Sequence, residues 1–539
     1  MQFRIGINLG DIIQEGKRIY GDGVNVAARM ESLAEPGGIC VSGSAYDQIE
    51  HKFPFGCEYL GERSVKNIAT PIRVYRLTRE DEESVHGCIV KPQAKNSSNR
   101  IIVAVVFGLL IFLVGGYLSW TLYHPHATAS IEAASIDQMS LPLPDKPSIA
   151  VLPFKNLSGD EKDGLIVKGL AEDLITALSK IVDLFVIARA SSFSYESEPV
   201  KIKQVAEELG VRYVLDGSVQ RSKERLRFSI QLIDAVAGNQ VWADRYDRTV
   251  NDLFVLQDDI VRRVLVELQI RLTDGERARI MSRKSQNLEA WLLVQQGNHE
   301  GWKLTREGMS RARELFQAAH KKDPDWVSPL VGLSWTYWYA ARMGWTEHRA
   351  EWIRQSLDLA EQAVSKAPDY PGGYQMLGML ALSRREYEQA IAFREKALAL
   401  APNDYVVLLG LGSVLYKAGE PERAVGILKM ALRNNPRKAV AVLWAIGDAQ
   451  IVAGHYEEAI QTSNEAASLQ PDSMYPHIFL AAAYSAVGRP EEARSEAEIL
   501  TQINPKFTIS SWMKSRLLKN PEDTERYADL LAKAGLPKN

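Results

Sequence analysis

Four prolines, Pro402, Pro436, Pro471 and Pro505, fall 34, 35 and 34 residues apart. Gly378, Gly412, Gly447 and Ala481 keep the same intervals, as do Ala390, Ala424, Ala459 and Ala493, with Ala397, Ala431 and Ala466 following. Such a period limits the fold. Each unit is one supersecondary element that cannot bury its apolar face alone and must stack on its neighbours. Small residues at fixed places let the two helices of a unit approach closely, and the proline ends the second helix. Two earlier units, ending at Pro324 and Pro368, are less regular, with an insertion near "WTEHRAEW". About six units over 288–507 predict an all-α solenoid with a concave face for a peptide or partner protein, followed by a helical cap over 508–539.

The spacing resembles that of tetratricopeptide repeats. Repeats fill less than half of the 539 residues, so further domains precede them. The net charge of −3 and the lack of a basic, aromatic-interleaved stretch argue against a nucleic-acid partner. Residues 101–123, "IIVAVVFGLLIFLVGGYLSWTLY", hold no charged side chain over 23 positions, enough to cross a hydrocarbon core of about 30 Å. Tyr117, Trp120 and Tyr123 sit towards one end, where interfacial aromatics belong. The segment therefore predicts a single transmembrane helix. Lys91, Lys95 and Arg100 precede it within a basic juxtamembrane linker, 81–100, and the next lysine after it is Lys146. The positive-inside rule then predicts an inner-membrane protein with a cytoplasmic N-terminus and periplasmic C-terminal domains. The three cysteines, Cys40, Cys57 and Cys88, all fall on the predicted reducing side.

Residues 124–146 are rich in Pro, Ser and Ala and read as a linker. Over 147–273 the pattern is strand, helix, strand, helix, three strands and a final helix, a small α/β domain. The phrases "IAVLPFKNLSGD", "YVLDGSVQ" and "VWADRYDR" resemble the TolB-like α/β domain found beside bacterial signalling modules. No catalytic trio is visible there, and the segment reads as a binding or assembly domain.

Residues 1–80 run strand, turn, helix, strand, short helix and hairpin. In "YGDGVNVAARMES", Asn25 and Arg29 are four residues apart and share one helical face. "FRIGINLGD" followed by "YGDGVNVAARMESLAEPGGICVS" resembles the C-terminal half of a class III adenylate/guanylate cyclase catalytic domain. Gly21, Val24, Asn25, Ala27, Ala28, Arg29 and Glu31 stand in register with that family's pattern. The resemblance implies that Asn25 orients the ribose of a nucleoside triphosphate. It also implies that Arg29 is catalytic, stabilising phosphate charge as the 3′-oxygen attacks and pyrophosphate leaves. A guanidinium suits that role because it is always charged and forks onto two oxygens. Gly21 and Gly23 would turn the chain sharply into the helix.

Two departures accompany the match. The family binds Mg²⁺ or Mn²⁺ through two aspartates, and neither has a counterpart here, since Asp11 and Asp22 fall outside the metal register. Arg18 stands where adenylate cyclases often carry an Asp that reads adenine; an Arg cannot accept the adenine amino hydrogen bond, which leaves ATP and GTP both open. About 80 residues of such a domain would also expose a sheet edge and apolar surface. The expected architecture is thus multidomain: a partial α/β cyclase domain, one transmembrane helix, a small α/β domain and an all-α solenoid. Two functions follow. One is a membrane-anchored cyclase-like signalling protein, inactive alone and completed as a homodimer or by a complementing cyclase chain. The other is a non-catalytic scaffold that binds partners through its repeats.

Overall fold

The computed structural model describes residues 3–9, 13–15, 18–20, 22–49, 56–63, 72–78, 132–196, 200–222, 225–273, 276, 285 and 287–539. They belong to two compact units, 1–124 and 125–539, each taken by itself.

In the first unit, β1 (Ile5–Ile7) leads through a hairpin, β2 (Ile13–Glu15) and β3 (Arg18–Tyr20), into α1 (Asp22–Leu33). Then come β4 (Ile39–Ser42), α2 (Gly43–Ile49), β5 (Gly56–Arg63) and β6 (Ile72–Thr78). The sheet order is β1-β4-β6-β5, with β1 parallel to β4 and the other pairs antiparallel. Val26, Met30 and Ala34 recur every fourth residue and bury one stripe of α1 against Cys40 and Val74. Helix and strand touch backbone to backbone: a Cβ on Gly6 would stand 2.1 Å from the Ala27 carbonyl oxygen and 2.2 Å from the Glu31 nitrogen. β1 is an edge strand of the described sheet, and Phe3, Ile5, Ile7 and Leu9 along it are exposed. The sequence anticipates this open apolar edge.

The second unit begins with an α/β domain. Its elements are β7 (Ser148–Val151), β8 (Lys155–Asn156), α3 (Glu161–Leu178), β9 (Phe185–Val186), α4 (Arg189–Ser192) and α5 (Ile202–Leu209). A meander, β10 (Tyr213–Ser222), β11 (Arg225–Asp234) and β12 (Asn239–Thr249), and α6 (Leu253–Glu267) complete it. The strand order is β12-β11-β10-β7-β9, with β8 added to β10. β9, the strand after the first helix of this domain, stops at Val186. Past Ile187 the chain leaves the sheet because the Ala188 amide donates to the Asn434 carbonyl instead.

Six helix pairs follow: α7 (Leu288–Gly301) and α8 (Arg306–Lys322); α9 (Ser328–Arg342) and α10 (Arg349–Lys366); α11 (Pro371–Ser383) and α12 (Tyr387–Leu400). The rest are α13 (Tyr405–Lys417) and α14 (Pro421–Asn434); α15 (Val440–Ala453) and α16 (Tyr456–Leu469); α17 (Met474–Ala486) and α18 (Pro490–Ile503). The repeated small residues are buried where helices meet: Ala390, Ala424, Ala459 and Ala493 are all fully buried. The last helices, α19 (Ile509–Arg516) and α20 (Pro521–Lys533), do not simply extend the stack. They fold back so that α20 packs on α17 and α15, the first helices of two pairs.

One expectation is corrected. No helix among the described residues is long and apolar enough to cross a membrane. The longest, α3 and α10, have 18 residues each. Their lengths are broken by charges such as Asp163, Lys168 and Glu172 in α3, and Arg354, Asp358 and Glu361 in α10. The helix expected at 101–123, its basic flank and the first part of the following linker, 124–131, lie outside the described residues. The single-pass architecture and the inner-membrane localisation built on it give way to two folded units without a spanning helix among the described residues.

Candidate functional site: the helix of the first unit and a domain seam

Asn25 and Arg29 both lie on α1, one turn apart, in the register that immediately precedes the buried stripe Val26–Met30–Ala34. Their side chains are outside the described residues, as are those of Arg18 and Asp22. Arg18 opens β3 and pairs by backbone with Glu15 across the hairpin. Gly23 falls within the first turn of α1, and Gly21 lies outside the described residues. The hairpin therefore delivers the chain into α1 about one residue after β3 ends. The far end of β1 is tied to β4 and α2: Ser42 Oγ donates to Asn8 Oδ1 at 2.6 Å, and Ser44 Oγ donates to the Leu9 carbonyl at 3.1 Å. Cys40 is buried under α1 and packs in its core, and that burial raises its thiol.

The described acids of this unit do not form a metal site. Among the described residues no group of three or more His, Cys, Asp or Glu side chains converges. Asp47 is held by Arg73 at 2.6 Å, and Glu35 and Glu58 by Arg76 at 3.1 and 3.5 Å. Carboxylates committed to guanidiniums are poor donors for a hard divalent cation. These three carboxylates therefore do not suit the divalent ion that the cyclase family uses.

In the second unit the α/β domain is seated along successive turns between repeats. On the first pair, Trp291 Nε1 donates to Asp173 Oδ2 at 2.9 Å. At the later turns, Asn403 Nδ2 donates to the Ile181 carbonyl at 2.6 Å and Asn434 Nδ2 to the Val186 carbonyl at 3.2 Å. Ser191 Oγ donates to Asn435 Oδ1 at 2.7 Å, Arg433 donates to the Leu209 and Gly210 carbonyls, and Arg437 pairs with Glu208. The buried and half-buried groups among these satisfy one another, which fixes the seat.

The seam holds a pocket of about 410 Å³, open to solvent, lined by Glu172, Arg189, Asn298, Trp302, Asn403 and Tyr405. Burial pushes the Glu172 carboxyl up to about 7 against the pull of Arg189, whose Nε lies 2.5 Å from Oε1; nearby Asp173 pushes the same way as burial. An acid whose folded pKa is raised loses stability as pH climbs from its unfolded value, about 4.5, to its folded one, and the loss persists above it. Glu172→Gln is therefore expected to raise stability by about 1–2 kcal/mol at pH 8 while changing it little at pH 4.5. Urea denaturation at the two pH values checks this; equal effects at both would contradict it.

Comparison with known proteins bears on both units. Residues 1–79 match the adenylate and guanylate cyclase catalytic domain, residues 145–263 the second domain of HilA/YgeH-like transcriptional regulators, and residues 381–443 and 474–498 tetratricopeptide repeats. The chain is 33% identical over 387 residues to "Putative adenylate cyclase 3" of Rhizobium meliloti (strain 1021); the match covers 72% of this chain and 58% of that one. The chain thus spans little more than half the length of that relative. An adenylate/guanylate cyclase/hydrolase structure from Silicibacter pomeroyi is 47% identical across 15% of this chain and 47% of its own, with a TM-score of 0.14. The repeat protein YrrB is 17% identical, covering 38% of this chain and 99% of its own, with a TM-score of 0.29. The α/β segment expected to be TolB-like matches under the HilA/YgeH description instead. This chain carries cyclase-family sequence at residues 1–79 and tetratricopeptide repeats in its C-terminal half, and it is a homologue of that Rhizobium meliloti protein.

Proposed function

We propose that this protein is an adenylate cyclase-like signalling protein in which α1 supplies the nucleotide-orienting half of a cyclase site and the repeat body binds a protein partner. The observation that carries the reading is α1 itself, pressed onto β1 at Gly6, with Asn25 and Arg29 one turn apart beside its buried stripe. Asn25 orients the ribose. Arg29 forks onto phosphate oxygens and stabilises the charge that builds there as the 3′-oxygen attacks the α-phosphate. The open edge of β1, with Phe3, Ile5, Ile7 and Leu9 exposed, supports completion of the site by further polypeptide, whether a second copy or a complementing cyclase chain.

A scaffold without turnover is the second reading, favoured by the arginine-bound acids of the first unit and by the extent of the repeats. Turnover separates the two. The chain is incubated with ATP or GTP and Mg²⁺ or Mn²⁺, alone and mixed with a cyclase polypeptide that keeps its metal-binding aspartates but lacks a working Asn/Arg helix. Cyclic nucleotide is expected only in the mixture, and its rate should fall about 100-fold or more with Arg29→Ala. No product in any mixture would leave the scaffold reading standing.

A further inference from the structure

Arg394 sits on α12 at a place the repeat reserves for core packing. Counted forward at the repeat interval, its counterparts are Leu428 and Ser463, both fully buried. Arg394 is buried too, at 6% exposure, yet its guanidinium makes no hydrogen bond or ion pair with any described residue, and its Nε is enclosed without a partner. Two glycines make room for it. A Cβ on Gly378 of α11 would lie 2.9–3.1 Å from the Arg394 side chain, and one on Gly410 of α13 would lie 2.8 Å from its Cζ and closer still to Nη1. The side chain therefore threads from the second helix of its pair between two first helices, α11 and α13.

Further cations lie near α12 and α13. Lys417, the last residue of α13, is within electrostatic range of Arg394, Arg342 and Arg516. Lys417 and Arg342 make no ion pair among the described residues; each ammonium or guanidinium lies over an adjacent ring, Tyr416 and Trp338 respectively, at 5.3 and 5.4 Å. Arg516 is the exception, being paired with Asp448. Asp448 is fully engaged, since Tyr416 and Tyr527 donate to it as well. Burial holds the Arg394 guanidinium down to about 10, and burial plus the three guanidiniums hold the Lys417 amine well below the ordinary lysine range. A guanidinium this deeply buried, with Nε enclosed and no counter-charge among the described residues, is unfavourable unless an anion meets it.

We propose that Arg394, Lys417 and Arg342, contributed by three successive helix pairs, form an oxyanion site on the repeat array that takes a carboxylate or phosphate group. Arg394 supplies the planar fork, while Lys417 and Arg342 add positive charge. The ligand is small or terminal, because only a compact group reaches a guanidinium enclosed between two helices.

Thermal unfolding of the full chain tests this in a phosphate-free, chloride-matched buffer, with inorganic phosphate and an acetylated hexaglutamate peptide as separate probes. Wild type is expected to gain stability saturably with one probe, the midpoint giving its affinity. A response to phosphate alone assigns the site to phosphate-bearing solutes, and a response to the peptide alone assigns it to acidic protein segments. Arg394→Met keeps the bulk of the stem and removes the charge. It should weaken the responding probe at least 10-fold and leave the ligand-free midpoint equal to or above that of wild type. Lys417→Met should weaken it about 5-fold. No saturable response from wild type to either probe would overturn the proposal. So would an Arg394→Met variant that unfolds earlier than wild type without ligand and still responds equally.

Discussion

Asp448→Ala lowers the stability of the second unit by about 3–5 kcal/mol, the cost of breaking a buried ion pair on one side only. Asp448 is 2% exposed and gathers groups from three segments: Tyr416 from α13, Arg516 from α19 and Tyr527 from α20. Arg516 also donates to the Tyr416 hydroxyl at 2.9 Å, so each donor steadies the next. Removing the carboxylate leaves Arg516, itself 12% exposed, without a counter-charge, and two phenols lose their acceptor. Burial raises the Tyr527 phenol, so ionisation offers that group no relief. Because α20 lies on α15 and α17, the fold-back of residues 509–533 should loosen first. Urea denaturation gives the total, and amide exchange over 509–533 gives the location. A loss under about 1 kcal/mol, the range of exposed pairs, would mean that this network does not hold the C-terminal helices.

The first unit has a different weak point. Gly6→Val is expected to separate α1 from β1 and unfold that unit, while the second unit keeps its melting transition. The added side chain meets the Ala27 carbonyl oxygen and the Glu31 amide, which are backbone atoms and cannot swing aside as a side chain does. Overpacking a core costs about 1–3 kcal/mol where neighbours can shift, and more where backbone must move. The cluster that α1 buries among the described residues, Val26, Met30, Ala34, Cys40 and Val74, is too small to absorb that loss. Amide exchange of Val26, Met30 and Ala34 reports the result. Protection equal to wild type would show that the approach of helix and strand is looser than described.

Local pattern made much of this readable in advance. The repeat period gave helix pairs because each unit carries its own small residues and its own terminating proline. The β10–β12 meander and α5, ended by Gly210 in the left-handed region, follow from alternation and from a glycine cap. The seating of the α/β domain was not readable, because Asn403, Asn434 and Asn435 look like ordinary turn residues until they meet carbonyls and hydroxyls more than two hundred positions earlier. The fold-back of α19 and α20 was hidden for the same reason. Arg394 did leave a trace: an arginine in register with Leu428 and Ser463 breaks the repeat at a core position. In α1, the four-residue spacing of Asn25 and Arg29 predicted one shared face, and the helical backbone over Asp22–Leu33 agrees with that register.

Equilibrium binding of ATP to the full chain, by calorimetry without added metal and with either Mg²⁺ or Mn²⁺, bears most directly on that helix. Wild type should bind, and Arg29→Ala should weaken binding about 10- to 100-fold, the worth of a charge-assisted fork on phosphate. Asn25→Ala should weaken it less, about 5- to 10-fold, as for one neutral hydrogen bond. ATP binding that is unchanged in Arg29→Ala would contradict the assignment of α1 as the nucleotide-facing helix.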